Sequence, residues 1–389
     1  MQIVRFTVMN SKKLILLLLI ICICLYFPAP VLAAPRLSSS YYCLVDRETG
    51  QPILGQNANT RRPMASTTKM MTAILALEYA GLDEMAVVSK YADRTPEYTI
   101  GLRAGQQLTV GELLKVALIR SSNDAAVVLG EHVAGDEAFF GYLMTKKAYA
   151  IGAMQTRFKN ASGLPDSDHY STAYDLALIG RNALSKPYIA EMVSTAETDF
   201  KHPGYQQALT IRNTNGLLRA YPGADGIKTG TADASGKCLV ASATRANRGL
   251  IAVVLKSGDR EGDCIKLMDY GFKNTSQQKL LDHELSIKNL KINGGEKTWA
   301  DIVPAEDLWL WLGNNKSNIE KIVRLNYNLE APLKKGQVLG EIDVYVDGGY
   351  FRSIDLVSRE DIARQSWYLK RIINGIMKLT NRNNAIDDE

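Results

Sequence analysis

The sequence predicts an α/β (α+β) chain in three parts: an antiparallel sheet with packed helices over residues 36–275, a small all-β domain over 277–358, and a C-terminal amphipathic helix over 361–381. Three observations predict it. Strand-like runs stand at both ends of the first segment with helical periodicity between them, which puts both ends into one sheet with helices around it. After about Asn274 the pattern changes to strand alternation, punctuated by Gly294-Gly295, Ala331-Pro332 and Gly348-Gly349. Near the end, Leu369, Ile372, Ile373, Ile376 and Met377 recur at helical spacing. With 389 residues of ordinary globular composition, the chain can bury a core in each of two or three domains.

The elements follow in order. Arg5, Lys12 and Lys13 precede an apolar run over 14–27, short for a membrane span, and Val31 and Ala33 stand where a signal peptidase reads small residues. Residues 1–33 therefore read as a cleaved signal peptide and the chain as exported; a retained anchor is the competing reading. A lipoprotein signal through Cys22 fails, because Ile21 before it is not small. Tyr41–Asp46 and 52–54 make a hairpin around a turn at 48–51. Ser66 opens a helix that Met70, Met71, Ile74, Leu75 and Leu77 make apolar on most sides, hence central, and Gly81 ends it. Further helices are expected over 111–119, 125–133 and 174–184, and a second hairpin from 239–243 and 250–255 around a polar turn at 245–248. In the β domain, 285–292, 322–329 and 338–346 alternate as strands. In the last segment Arg371, Asn374 and Lys378 lie opposite the apolar stripe, with Trp367 and Tyr368 at its start. Such a basic amphipathic helix suits a membrane interface; docking on its own domain is the alternative.

Three short motifs carry chemistry: Ser66-Thr67-Thr68-Lys69, Ser121-Ser122-Asn123 and Lys228-Thr229-Gly230. Ser66 and Lys69, three apart on a helix, share a face, and the free N–H groups at a helix start favour negative charge developing on the serine. A serine hydroxyl needs a base to become a nucleophile, and Lys69 can serve only if burial or a second cation such as Lys228 keeps it neutral. Ser121 can relay a proton and Asn123 can hold Lys69 and the substrate backbone, although a polar helix cap is the plainer reading of that motif alone. Lys228 and Thr229 offer a charge and a hydroxyl to a carboxylate, and Gly230 allows a close backbone approach. A second Ser-x-x-Lys, Ser276 with Lys279, has no partner motifs and reads as chance.

In this order and spacing the motifs make the chain resemble the low-molecular-mass penicillin-binding proteins, serine-type D-alanyl-D-alanine carboxypeptidases with a β-lactamase/DD-peptidase-like fold. The resemblance extends to Met64-Ala65, to Asn160-Ala161-Ser162-Gly163-Leu164-Pro165, to His169-Tyr170-Ser171-Thr172-Ala173 with Asp175, to Asp225-Gly226-Ile227, and to Ala331-Pro332-Leu333-Lys334-Lys335-Gly336 in the β domain. It implies that Ser66 attacks the bond between the last two D-alanines of a peptidoglycan stem peptide, that Lys69 is the proton acceptor, and that water hydrolyses the acyl-enzyme. It also implies an oxyanion hole from the backbone N–H groups of Ser66 and Thr231, a carboxylate-binding role for Arg260, acylation by β-lactams, and no cofactor. The implied place is the cell envelope, at the outer face of the cytoplasmic membrane through the C-terminal helix. Thr231 and Ala232 stand where some members carry His and Thr, Thr214 where some carry Arg, and Thr145 where Asn is usual.

Other classes fit less well. A net charge of +5 argues against a nucleic-acid binder and suits acidic envelope polymers or lipids. The four histidines form no metal-binding pattern, so no metal is expected, and His169 reads as structural. Cys43, Cys238 and Cys264, left after the signal, are odd in number and read as buried hydrophobes. A β-lactamase would share the motifs but needs a deacylating glutamate arrangement, and the β domain disfavours it. An idle peptidoglycan-binding or β-lactam-trapping protein is opposed by the retained Ser66, Lys69, Ser121, Asn123 and Lys228.

Overall fold

A computed structural model describes residues 34–313, 318–346 and 348–366. Five strands carry the first domain: β1 (Tyr41–Asp46), β2 (Pro52–Gln56), β3 (Ala224–Ala232), β4 (Gly236–Arg245) and β5 (Arg248–Ser257), antiparallel in the order β2-β1-β5-β4-β3. β1 pairs with β5 from Tyr41↔Leu255 to Asp46↔Leu250, so the start and end of the domain lie side by side as expected. The continuous apolar run of β5 follows from cover on both faces. Ile251, Val253 and Leu255 join the core under the helices, while Leu250, Ala252 and Val254 join a second core on the opposite face.

The helices that matter for the site are α1 (Lys69–Tyr79), α2 (Val110–Ile119), α3 (Asn123–Ala134), α4 (Ala173–Leu184) and α5 (Arg260–Asn274). Every residue from Lys69 to Ala76 is buried, so α1 is the central helix its composition predicts. It stops at Tyr79, just before the expected Gly81. α5, which the sequence reading did not place, covers the other face of the sheet with Cys264, Leu267 and Met268. Asp263 on its first turn accepts from the backbone N–H groups of Ser38 and Ser39, both at 2.9 Å, and so ties the chain's entry to the sheet. Cys43, Cys238 and Cys264 are buried free thiols, and burial pushes Cys43 up to about 12.

The second domain is all-β, as expected. Its strands are β6 (Thr275–Leu281), β7 (Lys288–Asn293), β8 (Trp299–Pro304), β9 (Leu308–Gly313), β10 (Ile319–Leu325), β11 (Leu329–Glu330), β12 (Val338–Val346) and β13 (Gly349–Ser358). They form a six-stranded sheet, β10-β12-β13-β8-β7-β11, and a β6-β9 pair. The expected strand over 322–329 divides into β10 and β11, which sit on opposite edges of that sheet. Ser276 and Lys279 lie on β6, where an odd spacing sends side chains to opposite faces, so they cannot act as a pair. The domains dock through Gln51, whose side chain exchanges two 2.8 Å hydrogen bonds with the backbone of Trp311.

Residues 361–366, taken from the sequence as the start of the amphipathic helix, instead run extended. Ile362 exchanges two 2.9 Å backbone hydrogen bonds with Leu333, and Arg364 bridges to Gly295. Ile362 is buried in the β-domain core, which a helical start there would forfeit. The rest of that segment, and the expected signal peptide over 1–33, lie outside the described residues. Among the described residues no helix is long and apolar enough to cross a membrane.

Candidate active site

Ser66 sits on a single 3-10 turn, Ala65–Thr68, that leads directly into α1. The turn is pinned from several sides. Thr67 Oγ1 donates to Met64 O at 2.7 Å and Thr68 Oγ1 to Ala65 O at 2.8 Å. Ala65 holds a left-handed φ of 48°, a conformation that costs an L-residue about 1–2 kcal/mol and that tertiary packing must maintain. Two glycines make that packing possible. A Cβ on Gly163 would stand 2.0 Å from Ala65 O, and one on Gly230 would stand 2.8 Å from Met64 O and 3.2 Å from Ser66 N. Strand β3 therefore runs in backbone contact with the nucleophile's own turn. β3 is an edge strand paired only with β4, so its free edge faces Ser66.

Lys69 is completely buried and its ammonium nitrogen has three partners: Ser66 Oγ at 2.9 Å, Asn123 Oδ1 at 2.6 Å and Ser162 O at 2.7 Å. Burial, and second the charge of Lys228, hold it well below the ordinary lysine range, while Asp124 pulls the other way. That shift favours the neutral amine, the form that can accept the Ser66 proton along the 2.9 Å contact.

The second motif lies in the sharp connection between α2 and α3. Ser121 takes a left-handed φ of 68°, and Asn123 opens α3. Asn123 is more than a cap. Its Oδ1 accepts from Lys69, and its Nδ2 donates to Glu97 O at 3.1 Å, which anchors the loop over 96–102 beside the cleft. Asp124, buried, secures the same loop by accepting from the backbone N–H groups of Gly101 and Leu102, both at 3.1 Å. The sequence reading gave neither Asp124 nor the Ser162 carbonyl a role; nothing in the residue types marks a backbone carbonyl as a lysine acceptor.

On β3, Lys228 is buried and donates to Thr229 O at 3.2 Å. Burial first, and then the Arg260 charge, push it down to about 7. Thr229 shares a 2.6 Å hydrogen bond with the hydroxyl of Thr214, the residue noted above as a departure from its relatives. Arg260, at the start of α5, reaches over the sheet edge to Gly230 O at 3.3 Å and Thr231 Oγ1 at 2.9 Å. Hydrogen bonds thus join Ser66, Lys69 and Asn123, Gly230 abuts the Ser66 turn, the Lys228 charge acts on Lys69, and Arg260 reaches Gly230 and Thr231 on β3, while Ser121 lies in the α2–α3 connection two residues before Asn123.

His169 stays out of the chemistry. Its Nδ1 accepts from Lys159 N at 3.1 Å, which leaves Nε2–H to donate to Thr68 Oγ1 at 2.8 Å, and burial lowers it to about 4. It is a neutral brace behind the nucleophile's turn. Among the described residues, Asp282, His283 and Asp307 form one group of metal-type donors, but Lys279 places its ammonium 3.0 Å from Asp282 and 2.9 Å from Asp307, as an ion-pair network does. A cavity of about 980 Å³ beside Arg47, Arg181 and Asp225 contains none of the motif residues.

Comparison with known proteins agrees with this geometry. Residues 30–258 match the family described as D-alanyl-D-alanine carboxypeptidase, and residues 276–364 match the penicillin-binding protein 5 C-terminal domain. The chain is 32% identical to D-alanyl-D-alanine carboxypeptidase DacF of Bacillus subtilis, over 84% of this chain and 87% of that one. It is 31% identical to D-alanyl-D-alanine carboxypeptidase DacA of Escherichia coli, over 87% of each chain. The crystal structure of penicillin binding protein 5 from Haemophilus influenzae superposes with a TM-score of 0.69 at 29% identity, covering 86% of this chain and all of that one (100%).

Proposed function

The chain belongs to the D-alanyl-D-alanine carboxypeptidase family, and from that membership we propose how its own residues remove the terminal D-alanine from peptidoglycan stem peptides. The observation that carries the mechanism is the buried Lys69 amine 2.9 Å from Ser66 Oγ. The substrate lies along the free edge of β3 with its terminal carboxylate held by Lys228, Thr229 and Arg260. Neutral Lys69 takes the Ser66 proton as Oγ attacks the carbonyl of the penultimate D-alanine. The developing oxyanion is held by the backbone N–H groups of Ser66 and Thr231. Ser121 relays that proton from Lys69 to the departing amine, the C–N bond breaks, D-alanine leaves, and Lys69 is neutral again. Water then attacks the ester, Lys69 takes its proton and returns it to Ser66 Oγ as the ester C–O bond breaks, and the shortened peptide leaves with Ser66 and Lys69 restored. Asn123 fixes the Lys69 amine through both stages. β-Lactams carry a carboxylate and a strained amide in the same relation and acylate the same serine.

The test uses the exported chain without residues 1–33, beside Ser66→Ala. Wild type is expected to release D-alanine from diacetyl-L-lysyl-D-alanyl-D-alanine and to bind fluorescent penicillin covalently, and the variant to do neither. Penicillin labelling without D-alanine release would instead make the protein a β-lactam trap.

The working place is the cell envelope. Two finer features are proposals from the sequence: cleavage of residues 1–33, and peripheral attachment to the outer face of the cytoplasmic membrane through the basic amphipathic stretch from Trp367 to Lys378. Deleting residues 367–389 is expected to move the protein from the membrane to the soluble fraction; an unchanged membrane fraction with a cleaved signal rules the attachment out.

A further inference from the structure

A cleft of about 520 Å³ opens beside the nucleophile's turn and takes no part in the mechanism above. Its walls include Ala65 and Gly163 on one side and Ala232 and Ser235 on the other, with Arg61, Arg62 and Tyr170 on its lining. Its position along β3 fixes which half of a substrate can reach it. A peptide whose terminal carboxylate lies at Lys228 and Thr229, with its scissile carbonyl between Ser66 and Thr231, must continue past Ala232. The residues before the D-alanines therefore enter this cleft. That orientation rests on the carboxypeptidase reading.

Neither arginine has an acid at ion-pairing distance among the described residues, although the Arg61 charge reaches buried Asp175. Arg61 is stacked on Tyr170 with its Cζ 5.0 Å from the ring centre, and Arg62 on Tyr41 at 4.8 Å. Among the described residues neither guanidinium makes a salt bridge, and Arg62 Nε is buried with no hydrogen-bond partner. The acids nearby form no ion pair with them. Asp166 on the lining is exposed, and Asp168 is engaged by Arg157 at 3.5 Å. Asp175 is buried and already held by Gln155 N at 2.8 Å and Thr156 Oγ1 at 2.7 Å. His169 is neutral and saturated. A planar guanidinium held on an aromatic face and lining an open cleft, with no ion-pair partner, is preorganised for a carboxylate; Arg61 is exposed there, and Arg62 is half-buried with an unspent Nε donor.

We propose that this cleft is a second recognition subsite, in which Arg61 and Arg62 bind a free carboxylate on the acyl-donor half of the stem peptide. The enzyme would then select its substrate at two charges, one on each side of the bond it cuts. Two sources offer that chemistry: the side-chain carboxylate of a diaminopimelate at the third position, or the α-carboxylate of a γ-linked D-glutamate before it.

The experiment measures binding by calorimetry to the Ser66→Ala chain and turnover by wild type. It uses four peptides ending in D-alanyl-D-alanine: diaminopimelate or lysine at the third position, each preceded by γ-linked D-glutamate or its amide. An anionic peptide is expected to bind about tenfold more tightly than the neutral one, and the arm in which the difference appears identifies the carboxylate. Arg61→Gln and Arg62→Gln, each combined with Ser66→Ala, are expected to reduce that preference to within about twofold. In the wild-type Ser66 background, unchanged penicillin acylation by Arg61→Gln shows that the site is intact. Equal binding of all four peptides, or a preference that survives in both arginine variants, overturns the subsite. Absence of D-alanine release with the binding preference intact would overturn the carboxypeptidase reading and leave the subsite standing. If Arg62→Gln does not fold, the exposed Arg61 decides alone.

Discussion

Lys228 serves two purposes through one charge. As a cation it lowers Lys69 and, in the mechanism proposed above, attracts the substrate carboxylate, yet burial and Arg260 push it down to about 7. Its charged form is therefore present below about 7 and is lost as the pH rises through that value. Since kcat/KM reports the free enzyme, kcat/KM for a peptide with a free terminal carboxylate is expected to fall above pH 7 by up to about tenfold per unit until Arg260 alone holds the carboxylate. Lys228→Arg keeps the charge at every accessible pH and is expected to remove that alkaline limb. A limb that stays in place in Lys228→Arg would show that another group titrates. The residue types at this site were legible in the sequence because each is chosen for its chemistry. Their protonation was not, because burial sets it and burial belongs to the fold. Thr214 makes the same point from the other side. Read as a departure from its relatives, it proves to be the 2.6 Å partner of the Thr229 hydroxyl.

At the scale of the element, the nucleophile's turn depends on what presses against it. α1 is legible in its apolar residues and the two hairpins in their β-branched runs. α5 is not, because its polar first turn, Arg260 to Asp263, hides a helix that buries only one face. Nor do residue types show which glycines are obligatory. Gly163 has a φ of +88°, and its missing Cβ would stand 2.0 Å from Ala65 O; Gly101 has a φ of +81° and nothing within 4 Å. Gly101→Ala should therefore lose only the left-handed penalty of about 1–2 kcal/mol. Gly163→Ala adds a backbone overlap and is expected to lose about 3 kcal/mol or more in urea unfolding. Because the overlapped carbonyl belongs to the turn before Ser66, penicillin acylation should slow as well. Equal losses in the two variants would mean that the turn yields easily and that Gly163 does not pin it.

At the scale of the whole molecule, the two domains meet at Trp311 of β9, which packs against the second core of the first domain and pairs its backbone with Gln51. The change of periodicity after about Asn274 made the second domain legible, but its docking was not, because a glutamine in a turn carries no signal of what it will touch. Gln51 is buried and satisfies both the N–H and the carbonyl of Trp311 at 2.8 Å, while Arg248 lies 3.5 Å over the Trp311 ring. Gln51 also ends the β1–β2 turn, with Asp46 N donating to its carbonyl at 2.9 Å. Gln51 thus connects the sheet that carries β3 to the β domain, beside the Arg248–Trp311 contact. Replacing it by alanine leaves two backbone groups of Trp311 unpaired, a loss of about 1–3 kcal/mol. That loss falls on the contact between the domains, since both hydrogen bonds run from the first domain to β9. Gln51→Ala is therefore expected to split calorimetric unfolding into two transitions or to broaden it, with penicillin acylation at 25 °C unchanged because the nucleophile's turn and β3 are held from within the first domain. A single transition of unaltered width and midpoint would place the coupling between the domains elsewhere, in the Arg248–Trp311 stacking.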